Sequence, residues 1–212
     1  MRILDLFCCQ GGSSTGAHHA FPDAEIHGVD IDPQPRYPFT FHQGDAMTWP
    51  LDGYDLILAS PPCQGYTTMS NQHDSNSPLL ITTTRQRLIA ADVPYVIENV
   101  CGARRHMRSP LMLHGGMFGL GVYRPRLFES NMLLMAPAPA DRPKDAAAVY
   151  GLREDRRRLW TRSDGSELRA ASLDEARVAM EMPWADWTGV REAVPPAYMQ
   201  WICQQLAVQV AA

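Results

Sequence analysis

Short apolar segments of strand length recur along the first two-thirds of the chain, and each ends in polar or glycine-containing sequence. Four of them are strand candidates: residues 2–7, 25–30, 54–60 and 94–98. Between them lie helix-start signals, one at Gly12 and one where Ser77 precedes Pro78, which predicts a helix over residues 77–91. Repeated strand–helix–strand units predict an α/β domain with a mostly parallel sheet and helices on both faces.

The size of the chain fits one such domain with a small appendage. It has 212 residues, of which 45% are hydrophobic, and this is enough for a substantial core. Its apolar runs are shorter than the roughly 18 residues of a membrane span. Asp5 follows the first residues too closely for a signal peptide. We therefore expect no membrane association.

Cysteine usage bears on the cellular compartment. The five cysteines are an odd number without CxxC spacing, at Cys8, Cys9, Cys63, Cys101 and Cys203. Such a set argues against a disulfide framework and a zinc site, so we expect no metal. A reducing cytoplasm is the natural setting for these thiols.

The organisation of the chain changes after Phe128. Proline and alanine dominate residues 136–143, which predicts a linker. A capping box predicts a helix over residues 172–182, and two prolines open a last amphipathic helix over residues 195–208. The predicted parts of the chain are 1–130, 131–168 and 169–212.

Charge is distributed unevenly along an acidic chain. The formal net charge of −4 gives no overall attraction to nucleic acid. Arginines nevertheless cluster at Arg104, Arg105 and Arg108, and again within residues 153–162. Local clusters of this kind can bind phosphates, although a solvated arginine-rich loop explains the second cluster equally well.

The run Ser60-Pro61-Pro62-Cys63-Gln64-Gly65 follows the third strand candidate. Proline fixes φ and cannot donate to a ladder, so this loop is stiff. A thiol held there is placed like a nucleophile, whereas a lone cysteine after a strand is more often a packed core residue. The prolines favour the nucleophile.

Two further reactive groups follow in the sequence at similar positions. Glu98 lies at the end of the fourth strand candidate, and Arg124 and Arg126 flank Pro125. A thiolate, a carboxyl group and a pair of guanidinium groups suit nucleophilic attack on an electron-poor heteroaromatic ring.

The loop after the first strand candidate points to a nucleoside ligand. It contains Gly11-Gly12 but lacks the GxGxxG signature of dinucleotide-binding proteins. Asp30, at the end of the second strand, can accept hydrogen bonds from ribose hydroxyls, and Gly44-Asp45-Ala46 can contact an adenine edge. An adenosyl ligand without a pyrophosphate fits better than NAD.

These motifs, in this order, resemble those of the cytosine-C5 methyltransferase family. The matching segments are Asp5-Leu6-Phe7 with Gly11-Gly12, Asp30-Ile31, Asp45, Pro62-Cys63-Gln64, Glu98-Asn99-Val100, Arg124-Pro125-Arg126, residues 173–177 and Val194-Pro195-Pro196. The resemblance implies a Rossmann-like S-adenosylmethionine-dependent methyltransferase fold. It also implies methyl transfer from S-adenosylmethionine to C5 of cytosine in DNA through a covalent bond between Cys63 and C6, with S-adenosylhomocysteine as product.

The resemblance also implies roles for individual residues. Cofactor contacts fall to Phe7, Gly11, Gly12, Asp30, Ile31, Asp45, Ala46 and Pro62. Catalysis falls to Cys63, Glu98, Asn99, Arg124 and Arg126, and substrate contacts to Gln64, Tyr66 and Arg124. Residues 1–130 then form the catalytic domain, residues 131–168 a minimal target-recognition segment, and residues 169–212 helices that return to the catalytic domain.

The resemblance assigns a different role to each of the expected catalytic residues. It implies that Glu98 protonates or hydrogen-bonds N3 of the base, and that Arg126 orients Glu98 and contacts the base carbonyl. It implies that Arg124 contacts the loop or a backbone phosphate. Asn99 is expected to hold the Glu98 loop or to accept from the exocyclic amine. Residues 64–73 are predicted to form a mobile loop that closes on an extruded or unpaired cytosine.

The chain departs from the family pattern in ways that leave the substrate open. Arg191-Glu192-Ala193 stands where Gly-Asn-Ser is usual, and Val122 where a glutamine is usual. The recognition segment is very short, as in small phage-borne methylases. We expect a monomer acting on DNA, in a bacterial host's cytoplasm if phage-encoded. The alternatives are a cytosine nucleotide or RNA as substrate, transfer of a modified alkyl group, or a non-catalytic DNA-binding homologue.

Overall fold

A seven-stranded sheet forms the centre of the protein in the computed structural model, which describes residues 1–66, 78–144, 146–149, 160–161, 167–168 and 171–210. The strands lie in the order β3-β2-β1-β4-β5-β7-β6. Their bounds are β1 Arg2–Leu6, β2 Glu25–Asp30, β3 Thr40–Gln43, β4 Leu56–Ala59, β5 Tyr95–Val100, β6 Leu111–Leu113 and β7 Arg126–Ser130. A separate pair of short strands, β8 and β9, covers Trp160–Thr161 and Glu167–Leu168.

Five α-helices accompany the sheet within the described residues. They are α1 Gly12–Ala20, α2 Ile81–Ala91, α3 Leu173–Met180, α4 Trp187–Glu192 and α5 Pro196–Val210. Short 3-10 helices cover Gln64–Tyr66, Cys101–His106 and Gly115–Phe118. In this part of the chain, none of the helices combines the length and the apolar character that crossing a bilayer requires.

The predicted α/β architecture is confirmed. Strands β1 to β5 pair in parallel, and β7 is inserted antiparallel between β5 and β6. Side chains alternate between the two faces of each strand. On β1, Ile3 packs in the core shared with α1 and α5, whereas Leu4 packs in the core shared with α2. Full burial of each such side chain contributes roughly 1.5–3 kcal/mol.

The parallel strands β1 to β5 place the functional loops together, because they all end at the same edge of the sheet. The loop after β1 leads into α1, the loop after β4 carries Cys63, and β5 carries Glu98 and Asn99. This edge is therefore where the predicted site residues can meet.

Several predicted boundaries need correction. The helix predicted from Ser77 begins at Ile81, and Ser77 itself lies outside the described residues. The hydroxyl of Tyr66 accepts a hydrogen bond of 3.1 Å from the Ile81 N–H, so a side chain from another loop binds one of the free N–H groups of the first turn. The strand predicted over residues 94–98 continues to Val100 because β7 pairs with it that far.

The C-terminal helices agree with the sequence patterns. Ser172 and Glu175 form the predicted capping box, and the helix ends at Met180, since Glu181 adopts a left-handed conformation with φ of 57°. The last helix begins at Pro196 and continues to Val210.

Candidate active site

Cys63 lies in the loop that leaves the carboxyl end of β4. It is partly buried and faces a cavity of about 360 Å³. The cavity wall is formed by Val100, Val122, Tyr123, Arg124, Pro125, Arg126, Arg142, Ala146, Ala147, Ala148, Val149 and Arg191. The thiol is therefore accessible to a small group bound in this cavity, and both paired arginines lie beside it.

A buried ion pair lies next to this thiol. The Nε of Arg126 is 3.0 Å from Oε1 of Glu98, and their side chains are 15% and 8% exposed. Glu98 on β5 lies opposite Phe128 on β7, and Arg126 lies two positions along, opposite Val100. The antiparallel insertion of β7 thus creates a diagonal cross-strand pair.

Burial raises the pKa of the Glu98 carboxyl, while Arg126 and Arg124 act to lower it. Burial also raises the pKa of the Cys63 thiol, with a further upward contribution from Glu98 and an opposing one from Arg126. The site therefore holds Cys63 as a thiol before substrate binds. Glu98 retains a proton more readily than an exposed carboxyl does.

Asn99 points to the opposite side of β5 from Glu98, as strand alternation requires. Its side-chain nitrogen donates a hydrogen bond of 2.8 Å to the carbonyl of Pro61, and its side-chain oxygen accepts one of 3.0 Å from the N–H of Val100. Asn99 therefore fastens the Cys63 loop to β5.

Arg124 is occupied by the protein itself. Its guanidinium donates to the carbonyls of Ala193, at 2.9 Å, Val149, at 3.1 Å, and Arg191. Its φ of 33° is unusual for a residue other than glycine. Arg124 joins β7 to two segments of the cavity wall that are distant in sequence.

The loop after β1 is tied to the end of β2. The Cys9 N–H donates to Oδ2 of Asp30 at 2.9 Å, and the Cys8 N–H donates to the carbonyl of Val29 at 3.1 Å. Phe7, Cys9 and Gly11 have φ of 60°, 45° and 81°, so the loop turns sharply into α1. Asp30 remains partly exposed.

The ends of β2 and β3 lie beside this loop. Gly44 donates to the carbonyl of Asp30 at 2.9 Å, and Oδ1 of Asp45 accepts from the Met47 N–H at 2.8 Å. Ala46 is buried, whereas Ile31 is 68% exposed. A carboxylate suited to ribose hydroxyls, Asp30, and one suited to an adenine edge, Asp45, thus accompany an apolar side chain suited to a planar ring. This set of groups fits an adenosyl ligand.

The C-terminal segment was expected to return to the catalytic domain, but the sequence did not show how closely it packs on the loop after β1. A Cβ on Gly12 would lie 2.1 Å from the carbonyl oxygen of Val194. The side-chain oxygen of Gln10 accepts from the Asp186 N–H at 3.0 Å, and the indole of Trp184 donates to the carbonyl of Gln10 at 2.8 Å. The available signals in the sequence were Gly12 and, far along the chain, Val194-Pro195-Pro196. Neither signal indicated that these two segments contact each other.

The predicted substrate loop is described only over residues 64–66. Gln64 is exposed there. Tyr66 is 6% exposed, and its hydroxyl is engaged with the N terminus of α2. The rest of the segment predicted to be mobile lies outside the described residues, as do most of residues 153–162. Pro62, expected near the cofactor, is partly buried beside Cys63.

Comparisons with known proteins identify the fold. In sequence, the chain matches no protein-family profile and no curated protein. In structure, it is similar to the methyltransferase EhMeth of Entamoeba histolytica, with a TM-score of 0.64 and 9% identity, over 99% of this chain and 98% of that one.

Two further solved structures are similar over a smaller part of the chain. One is an RNA methyltransferase from Salinibacter ruber bound to S-adenosyl-L-homocysteine, with a TM-score of 0.40, 15% identity and coverage of 66% of this chain and 86% of that one. The other is human methyltransferase-like protein 13, also bound to that ligand, with a TM-score of 0.40, 15% identity and coverage of 65% and 75%. Together, the match to EhMeth and the strand order show that the chain has the Rossmann-like fold of S-adenosylmethionine-dependent methyltransferases.

Proposed function

We propose that this chain transfers a methyl group from S-adenosylmethionine to C5 of cytosine in DNA, through a covalent bond between Cys63 and C6 of the base. One observation carries the proposal. Cys63 shares a cavity with Arg126, and Arg126 is itself paired with Glu98 at 3.0 Å. A nucleophile and a guanidinium therefore line one cavity, and the acid is paired with that guanidinium, which supports the binding of a base between them.

The proposed reaction begins at Cys63. C5 of cytosine is a poor nucleophile, but addition of a thiolate to C6 turns the ring into an enamine that is nucleophilic at C5. Because the pKa of Cys63 is raised, its proton must pass to solvent water as the thiolate adds to the bound base. The charges of Arg126 and Arg124 favour the thiolate in that step.

Glu98 is proposed to act on N3 of the base. A carboxyl group with a raised pKa can supply a proton, or share one, as negative charge develops on the ring. Arg126 holds the Glu98 carboxyl in one orientation from the neighbouring strand. The buried pair thereby offsets ring charge without rearranging during the reaction.

The cofactor is proposed to bind at the loop after β1, with the carboxylates of Asp30 and Asp45 and the exposed side chain of Ile31 beside it. S-adenosylmethionine supplies an electrophilic methyl group there. After C5 takes the methyl group, a base acting through water removes the C5 proton. The C5–C6 double bond then re-forms and Cys63 leaves as the thiolate. S-adenosylhomocysteine is the second product.

The cavity is proposed to admit one base at a time. Its volume of about 360 Å³ suits a single nucleotide rather than a stacked duplex. We therefore propose that the target cytosine is extruded or already unpaired. Residues 1–130 would form the catalytic domain, residues 131–168 the recognition segment and residues 169–212 the returning helices.

A suicide substrate tests this proposal directly. An oligonucleotide containing 5-fluorocytosine blocks the final elimination, because no proton remains on C5, so the adduct should persist on a denaturing gel. Cys63→Ser should abolish the adduct, whereas Cys101→Ser, which alters an exposed cysteine, should retain it. No adduct with any cytosine substrate would contradict the proposal and favour a non-catalytic homologue.

A second candidate keeps the chemistry and changes the substrate to a cytosine nucleotide or RNA. The net charge of −4 favours a nucleotide substrate, because a surface that binds a DNA or RNA polymer is usually basic. Transfer of labelled methyl to duplex DNA, single-stranded DNA, RNA and dCMP separates the two. Labelling of dCMP or RNA without labelling of DNA would exclude the leading proposal, and product mass would reveal a group larger than methyl.

A further inference from the structure

Four arginines contribute to the cavity wall beside Cys63, and they differ in what they already bind. Arg126 pairs with Glu98, and Arg124 donates to three backbone carbonyls. Arg191 pairs with the neighbouring Glu192 at 2.5 Å. Within the described part of the chain, Arg142 has no carboxylate or carbonyl partner. It is exposed.

Arg142 is nevertheless held in place. Its guanidinium carbon lies over the ring of Tyr123, 4.8 Å from the ring centroid, which is a cation–π contact. The Tyr123 ring packs in turn against His114, with ring centroids 5.0 Å apart. His114 is buried, so the aromatic platform beneath Arg142 is anchored in the protein interior.

We propose that Arg142 binds the phosphate of the nucleotide whose base occupies the cavity. This inference rests on the proposed function, because it takes the cavity as the site of a cytosine nucleotide. A planar guanidinium matches two phosphate oxygens, and stacking on an aromatic ring leaves its N–H edge free to donate. A side chain fixed by stacking also loses less conformational freedom when phosphate binds.

Binding of a fluorescein-labelled oligonucleotide containing cytosine, measured by anisotropy across a salt series, tests the inference. Arg142→Ala should weaken binding about tenfold and lower the slope of log K against log salt by about one, as for loss of one phosphate contact. Arg142→Lys should restore the salt slope but only part of the affinity. An ammonium group cannot donate to two phosphate oxygens in the manner of a planar guanidinium, and it does not stack on the Tyr123 ring in the same way. Arg2→Ala, which removes one positive charge at the opposite edge of the sheet, should change neither.

The role of the platform is tested by Tyr123→Leu. This change removes the ring beneath Arg142 and keeps side-chain bulk, so it should reproduce part of the Arg142→Ala loss. With 5-fluorocytosine substrates, Arg142→Ala should raise the oligonucleotide concentration needed for half-maximal adduct formation but leave the saturated rate unchanged. Comparing deoxycytidine with dCMP and with the oligonucleotide shows whether a free phosphate or a phosphodiester is bound.

The two proposals fail in different ways. A wild-type protein that forms no adduct contradicts the proposed function. Binding by Arg142→Ala equal to that of Arg2→Ala overturns the assignment of Arg142, whatever the adduct experiment shows. A saturated rate that falls with Arg142→Ala would also contradict it, because the residue would then act on chemistry or on the structure of the site.

Discussion

The side-chain amide of Asn99 lies 2.8 Å from the carbonyl oxygen of Pro61, and this hydrogen bond fastens the Cys63 loop to strand β5. Glu98, the preceding residue, points to the other face of the strand and pairs with Arg126. Because successive side chains of a strand point to opposite faces, β5 holds the acid on one face and the loop of the nucleophile on the other.

Replacing Asn99 tests this tie. Asn99→Ala leaves the buried Pro61 carbonyl without its partner, which should cost about 1–3 kcal/mol of unfolding free energy. It should also slow adduct formation, because the loop loses its anchor. Asn131→Ala is a matched control, since Asn131 bonds to Tyr95 and Val93 at the other end of β5. Equal adduct rates in the two variants would show that the tie has no part in the chemistry.

Glu98→Gln should slow adduct formation by roughly 10² to 10⁴, the usual contribution of a positioned acid. The amide keeps the shape of the side chain but cannot donate a proton as a carboxyl does. Rates are measured with the 5-fluorocytosine oligonucleotide under single-turnover conditions. Glu129→Gln is the control, because Glu129 forms a buried pair with Arg85 away from the cavity. A rate for Glu98→Gln as high as that of the control would refute the assigned role.

Arg124→Ala should lower the free energy of unfolding by about 3 kcal/mol or more, since three carbonyls lose one charged donor. Arg124→Lys should recover only part of this, because an ammonium cannot span the three acceptors. Denaturant titration measures both. A denaturant unfolding curve for Arg124→Ala identical to that of the wild type would mean that these carbonyls find other hydrogen-bond donors.

The raised pKa of Asp5 predicts that the stability of the protein depends on pH. Burial raises its pKa from 3.8 to about 7, with Asp30 also raising it and the hydroxyl of Ser14 lowering it. The unfolded chain ionises first, so the native state loses stability as pH rises from about 4 to 7, and the loss is complete above that. At about 1.4 kcal/mol per pH unit, the total is about 4 kcal/mol at most.

The test is Asp5→Asn, which should remove this part of the pH dependence. The difference in unfolding free energy between variant and wild type should grow in favour of the variant between pH 4 and 7. Asp23→Asn, at an exposed carboxylate, should show no such trend. A constant difference across that range for Asp5→Asn would show that Asp5 has an ordinary pKa.

The exposed arginines that follow β5 test whether the substrate is a polynucleotide. Arg104 and Arg105 project from the 3-10 helix that begins where β5 ends, next to Val100 of the cavity wall. The double change to alanine should reduce the slope of log K against log salt for oligonucleotide binding by about two. It should leave the affinity for dCMP unchanged. An unchanged slope would exclude these residues from the binding surface.

The sequence alone predicted β1, α1, β2, β4, α2, β5 and the helices α3 and α5, together with the candidate reactive groups, but it did not predict β3, β6, β7 or α4. Short apolar runs and helix caps are local signals, so β1, β2 and the Ser172 capping box followed from neighbouring residues. Likewise, Cys63 and Glu98 could be chosen because their residue types and their positions after strands are visible in the chain.

Tertiary structure decided what each group touches. Arg124 reaches carbonyls of residues 149, 191 and 193, and Gly12 meets Val194, although these residues are far apart in sequence. The first N–H of α2, at Ile81, is bound by the hydroxyl of Tyr66, a contact that the local sequence did not indicate. Such contacts depend on how β7 inserts antiparallel beside β5 and on how α5 packs on α1. Packing between distant segments leaves no periodic signal in the chain, because each partner has a local environment that many other sequences share.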